Sequence, residues 1–230
     1  VPRDDEPFLF VPKLEEEHAK KVSWMKDVRS YSEFPAGSGR EWFSVLARHL
    51  SAYRKIGVES SLSAGIQRSL NGGRRELKIV DLVERLRVVK SAKEVEKIRF
   101  AARVADKVAQ RMLKNSKEGA SLMTIIAPTS QEMYSTVLGK IPDANLLVTN
   151  TTAAVWMGPI STMPHRAPSA FDIVKTGIPN VMLTTVQADG YSAECERTFF
   201  AKEAEQKAVK MFGDMMEARE KALTEIEEGT

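Results

Sequence analysis

Residues 155–200 read VWMGPISTMPHRAPSAFDIVKTGIPNVMLTTVQADGYSAECERTFF, and this stretch decides the fold. Within it, Asp189-Gly190 separates two runs rich in β-branched and aromatic residues, 181–188 and 191–200. An Asp-Gly pair so placed predicts a two-residue hairpin, because both central residues of a type I′ turn take positive φ. With the turn there, Ala188 faces Tyr191, Gln187 faces Ser192, Val186 faces Ala193 and Thr185 faces Glu194. The two-residue period of a strand then sets Thr185, Glu194 and Glu196 on one face. Two carboxylates at i and i+2 on such a face are either a solvated edge or part of a site. Cys195 points the other way and reads as a small buried hydrophobe.

The order Met163-Pro164-His165, a spacer, a Gly-led strand, a turn, and then Gly190-Tyr191-Ser192-Ala193-Glu194-Cys195-Glu196-Arg197-Thr198-Phe199 resembles the first half of the pita-bread catalytic domain. That fold is shared by Xaa-Pro aminopeptidases, prolidases, methionine aminopeptidases and creatinase. The resemblance implies a metallopeptidase, a hydrolase whose active members hold two divalent ions (manganese, cobalt or zinc) on five side chains. These are two aspartates facing each other across the hairpin, then a histidine and two glutamates further downstream. Ions bridged in this way activate a water and clamp the tetrahedral intermediate. On this sequence the second aspartate corresponds to Glu194, an oxygen ligand one methylene longer. The first corresponds to Thr185, with Thr184 a second candidate because the connection is shorter than in typical members. A neutral hydroxyl does not replace a carboxylate in holding a dication, so the first ligand is lost. The remaining three ligands are expected beyond Thr230.

The resemblance also gives His165 a place lining the substrate site, where it would donate a hydrogen bond or shuttle a proton. In creatinase the matching histidine is the general acid/base of a metal-free C–N hydrolysis. Taken without the family, a lone histidine after proline reads as a loop residue satisfied by solvent or backbone.

Composition bounds the rest. A chain of 230 residues suits one large domain or two small ones. With 43% hydrophobic and 28% charged residues it reads as an ordinary globular protein. Its 34 basic and 31 acidic residues leave a net charge of +3 and no basic stripe, so nucleic acid is not indicated as a partner. Arg74, Arg75, Arg85 and Arg87 read as solvated surface. A single cysteine excludes an intrachain disulfide and fits a reducing, cytoplasmic compartment. No apolar run approaches the ~20 residues of a membrane span, and no signal peptide is visible. The chain opens on Val1 and not on methionine, so a fragment is expected.

Residues 1–84 alternate strand and helix signals. The predicted strands cover 8–11, 28–31, 55–59 and 77–80. Helical segments are predicted from Glu15, over 40–54, and over 61–70, the last stopped by Asn71-Gly72-Gly73. Such alternation argues for an α/β layer, and its order resembles the later part of the creatinase-like N-terminal domain, here incomplete. Helical periodicity then runs over 85–114, with Ser91 and Glu94 as a capping box for a long helix over 91–114 and Val95, Ile98, Ala102, Ala105, Ala109 and Met112 as its apolar stripe. A helix restarts after Ser121, another covers 130–138, and 145–156 reads as strand. A closing helix over 202–228 carries Glu203/Lys207 and Glu217/Lys221 pairs, with its methionines as core filler. The expected fold is therefore an α/β N-terminal domain over 1–84 followed by the first half of an α+β pita-bread domain over 85–230.

Three functions follow. The first is a prolidase-like or Xaa-Pro aminopeptidase-like protein, inactive as this chain because metal ligands are missing. Its substrate when active would be a peptide with proline at the second position, and its full-length form a homo-oligomer. The second is a non-catalytic pita-bread binding module. The third is a creatinase-like, metal-free C–N hydrolase using His165.

Overall fold

The computed structural model describes residues 6–163 and 165–229, and the chain divides into two units, Val1–Val89 and Lys90–Thr230. In the first unit β1 (Phe8–Pro12), α1 (Glu16–Val22) and β2 (Asp27–Tyr31) form one parallel crossover. After α2 (Trp42–His49), a second crossover runs through β3 (Lys55–Val58), α3 (Ala64–Asn71) and β4 (Glu76–Ile79), again parallel. Gly72 ends α3 in the left-handed region at φ 54°, the stop expected from the Asn-Gly-Gly run. The unit closes with α4 (Leu82–Val88).

Glu16 ties the first crossover together. Its carboxylate accepts hydrogen bonds from Lys13 and Lys20 and from Ser30 Oγ on β2 at 2.6 Å. Lys13, then Lys20, then Ser30 lower its pKa from 4.5 to about 2. A depressed carboxylate stabilises the fold above its unfolded pKa, and the contribution disappears as pH falls through the folded value. The N-terminal unit should therefore lose stability between about pH 4.5 and about pH 2. Glu16→Gln is expected to flatten that acid limb in melts recorded as a function of pH. An unchanged limb would mean that Glu16 titrates normally.

The second unit begins with α5 (Ala92–Asn115) and α6 (Leu122–Lys140). It continues with β5 (Asn150–Trp156), β6 (Thr176–Gly177), β7 (Asn180–Ala188), β8 (Tyr191–Phe199) and β9 (Ala201–Ala204), and ends with α7 (Gln206–Thr224). The antiparallel sheet has the order β5-β7-β8, while β6 and β9 pair in parallel. Along β7 burial alternates strictly, with Asn180, Met182, Thr184, Val186 and Ala188 inside. That face joins Ala101, Val104, Ala105, Val108, Ala109 and Met112 of α5 and Ile125, Met133 and Val137 of α6 in one core. The opposite face of the sheet is the open one.

The hairpin has the expected register, including Thr185 against Glu194. Asp189 at φ 49° and Gly190 at φ 86° make its turn. Several predicted boundaries are corrected. The capped helix expected over 91–114 is α5, and the helical signal before it over 85–88 belongs to α4, since Ser91 caps α5 with extended backbone (ψ 162°) and a reciprocal bond to Glu94. The buried stripe of α5 also includes Ala101, Val104 and Val108, while Val95, Ile98 and Ala102 are only partly buried. The helix after Ser121 and the one over 130–138 are a single α6 that carries Pro128 inside it. Residues 146–148 form a 3₁₀ turn and not a strand, because the Asn145 side chain accepts from Leu147 N at 3.0 Å. The closing helix starts at Gln206, since Ala201–Ala204 are drawn into pairing with β6. Glu203 is therefore not on a helix with Lys207, whereas Lys221 and Glu217 do pair at 3.6 Å. No residue of α7 is buried, so its methionines are not core filler.

Candidate functional site

The hairpin is held from its tip. Asp189 N donates to Thr149 Oγ1 at 3.1 Å, Gly190 N to Val148 O at 2.9 Å, and Asn145 N to Asp189 Oδ1 at 3.3 Å. Lys97 of α5 reaches Asp189 Oδ2 at 3.3 Å and lies 5.1 Å from the centre of the Tyr191 ring. Tyr191 in turn donates to Glu94, whose pKa is lowered chiefly by the Ser91 backbone N–H it accepts as part of the capping box. A turn fixed from two sides fixes the register of every residue behind it.

On the open face, Thr185 Oγ1 donates to Glu194 Oε2 at 3.1 Å. Thr184 faces the other way. It is fully buried, opposite Cys195 in the ladder, with its hydroxyl 3.4 Å from that of Thr151. Only Thr185 thus shares a face with Glu194. Cys195 is buried as expected, and burial pushes its thiol pKa up. Glu196 lies two residues along β8 from Glu194, roughly 6.6 Å away at the strand rise, and both are exposed.

Of Met163-Pro164-His165, Pro164 lies outside the described residues. His165 is exposed, with backbone in the left-handed region at φ 69°. Its neighbour Arg166 accepts from Trp156 Nε1 through the backbone carbonyl at 2.6 Å. Trp156 pairs with Val181, which stands four residues before Thr185 on the same face. The loop is therefore tethered roughly 13 Å along the strands from the Thr185–Glu194 pair. Among the described residues no hydrogen bond or ion pair links His165 to the Thr185–Glu194 pair. Trp156 is the residue that reading the sequence missed. Its signal was there, since an indole N–H near a protein interior takes a hydrogen-bond partner. Gly158 in the same connection lies close under Ile178, which would have to shift for a side chain there, because a Cβ would stand 2.6 Å from Ile178 Cδ1.

Among the described residues no three His, Cys, Asp or Glu side chains gather as a metal ion would require. One hydroxyl already bonded to a carboxylate, with a second carboxylate further along the strand, does not fit a two-ion centre.

A model of metallopeptidase family M24 matches residues 96–230, and one of the creatinase/prolidase N-terminal domain matches residues 1–89. The chain is 26% identical over 226 residues to an Xaa-Pro dipeptidase of Pyrococcus horikoshii, covering 96% of this chain and 58% of that protein. It is 25% identical over 229 residues to an uncharacterized peptidase of Methanocaldococcus jannaschii, covering 98% and 58%. The crystal structure of the prolidase from Pyrococcus horikoshii OT3 superposes with a TM-score of 0.78 at 24% identity, over 95% of this chain and 58% of that one. The chain thus spans 58% of the length of these relatives. Its fold is a creatinase N-terminal domain followed by part of a pita-bread domain, the architecture expected from the sequence.

Proposed function

We propose that this chain, which belongs to metallopeptidase family M24, is a prolidase-like protein that does not carry out the two-ion peptide hydrolysis of its family by itself. The observation that carries the reading is the Thr185–Glu194 pair. Where the resemblance calls for two facing carboxylates, a hydroxyl faces one carboxylate and donates to it at 3.1 Å. Pairing Thr185 with Glu194 halves the negative charge available across the hairpin and occupies one carboxylate oxygen. Glu194 is assigned as the surviving ligand position and Thr185 as the lost one. His165 is assigned a position lining the substrate side of the sheet, supported by its exposure and by the Trp156 tether beside it.

For the whole protein, the likeness to an Xaa-Pro dipeptidase supports a peptide with proline at its second position as substrate, and membership of metallopeptidase family M24 supports a divalent metal, which we assign as manganese, cobalt or zinc in a homo-oligomeric working form. The single buried thiol supports a cytoplasmic location. Among the described residues no helix is long and apolar enough to cross a membrane. A second reading, a non-catalytic module that binds a partner through the same open sheet face, draws on the same Thr185–Glu194 bond, because a carboxylate already satisfied by its neighbour leaves the face built without the metal.

Restoring the carboxylate tests the assignment. In a manganese titration followed by calorimetry, the parent chain is expected to bind with Kd above ~1 mM, and Thr185→Asp to bind one ion at least ~10-fold tighter. Uptake of two ions by the parent with Kd below ~10 μM would place the ligands elsewhere.

A further inference from the structure

We propose that the arginine-lined cleft of the N-terminal unit binds a small soluble polyphosphate. The cleft has a volume of ≈ 720 Å³ and lies beside the C-terminal ends of α2 and α3. Four of its lining residues are Arg48, Arg54, Arg74 and Arg75, and among the described residues none that lines it is acidic. The sequence scatters these arginines over 28 positions, so reading it in order gives solvated surface. The fold gathers them.

The four divide into two kinds. Arg75 is half-buried and anchored, donating from Nη1 to Leu70 O at 2.7 Å and from Nη2 to Ala47 O at 2.8 Å. Arg48 is anchored by Nη1 to Gly39 O at 2.7 Å. A guanidinium carries five N–H donors, so each anchored group keeps most of them and holds its charge in a fixed place. Arg54 and Arg74 are exposed, as Arg48 is, and among the described residues no hydrogen bond ties either guanidinium to backbone. The ion pairs described in this unit engage Lys13, Lys20, Arg29, Lys55 and Arg87, and none of them involves an arginine of the cleft.

Two guanidinium groups anchored on backbone and two without such an anchor around one cleft, with no lining carboxylate among the described residues, are complementary to a compact anion of several charges. Arginine's planar fork matches phosphate oxygens two at a time. A cleft of ≈ 720 Å³ is far larger than one phosphate needs, so a chain of linked phosphates uses its width and engages more than two arginines at once. Ser51 and Ser69 border the same space, the Ser69 hydroxyl donating to Gly65 O at 3.2 Å. With Tyr53 its single aromatic lining residue, the cleft offers little to an apolar group. This assignment is independent of the Thr185–Glu194 pair and of any metal.

Calorimetry of the full chain with inorganic tripolyphosphate, in 0.1 M salt without divalent ions, tests it. One tripolyphosphate per chain should bind with Kd near ~10 μM, with sulfate at matched ionic strength at least ~30-fold weaker. Arg54→Ala combined with Arg74→Ala should weaken tripolyphosphate at least ~10-fold and leave the melting temperature in place, because among the described residues neither side chain holds backbone. The double lysine variant keeps the charge and loses the fork, and should fall between the two. Tripolyphosphate binding no tighter than sulfate would overturn the proposal, as would unchanged affinity in the double alanine variant. Tighter binding of a duplex oligonucleotide than of tripolyphosphate would overturn the assignment to a small anion.

Discussion

Purified chain supplied with manganese, cobalt or zinc is expected to release no proline from an Xaa-Pro dipeptide above the buffer rate. Two divalent ions bring ~4 positive charges, which carboxylates must largely balance while supplying most of the ligand atoms. The open face offers Glu194, bonded to Thr185 at 3.1 Å, and Glu196 roughly two strand residues away. His165 sits in a loop tethered further along the same strands. Three such groups hold one ion weakly at best and do not hold two at bridging distance. The loss is therefore of the catalytic step itself, many orders of magnitude in kcat, and not a change in KM. Proline release followed over hours by a colorimetric assay checks it. Cleavage that Glu194→Ala abolishes would show that the ligands are other than those assigned, and that Glu194 works with groups outside this face.

The hairpin was legible because its information is local. Asp189-Gly190 dictates a turn type, the turn dictates register, and register dictates that Thr185 meets Glu194, with no long-range contact needed at any step. The same holds for the capping box at Ser91 and the glycine stop at Gly72. What was not legible depends on partners distant in sequence. The segment 202–204 reads as the start of the closing helix, but pairing of Ala201 with Thr176 and of Ala204 with Gly177 supplies a ladder that periodicity does not reveal. Helix boundaries near Pro128 failed for a related reason. A proline argues locally for a break, and α6 runs through it because Ile125, Thr129 and Met133 are buried on one continuous face.

For the site, the face of each residue could be read, and the separation between groups could not. Alternation alone put Thr185 and Glu194 together and Cys195 behind them, and the coordinates add that Thr184 belongs with Cys195. The distance from that pair to His165 depends on where the 157–163 connection is anchored. It is anchored by the bond from Trp156 to a backbone carbonyl ten residues on, and by Ser161 Oγ, which donates to Pro179 O at 2.8 Å. The arginine cleft is the opposite case. Its members come from α2, from the turn before β3, and from the turn before β4, and only the parallel pairing of β3 with β4 brings those turns together.

Met182→Ala is expected to destabilise the C-terminal unit by about 3 kcal/mol, and Met211→Ala by less than about 0.5 kcal/mol. By helical periodicity the methionines of the closing helix are core filler, and nothing local distinguishes them from Met182. Burial does. Met182 lies on the central strand of the sheet, fully buried in the cluster with Val104, Val108 and Met112. Met211 is 62% exposed on a helix with no buried residue. Truncating Met182 removes buried methylenes and leaves a cavity that a sheet pinned by α5 on one side and by two neighbouring strands cannot fully close, whereas truncating Met211 removes atoms already in water. At a urea m-value of ~1–3 kcal/mol/M the first change shifts the midpoint by about 1–3 M and the second by a few tenths. Amide exchange on β7 follows the same ranking, since its slowest protons open with the unit as a whole. The reverse order, a large loss at Met211 and little at Met182, would mean that α7 is packed into a core and that the inner face of β7 is not where this unit's stability resides.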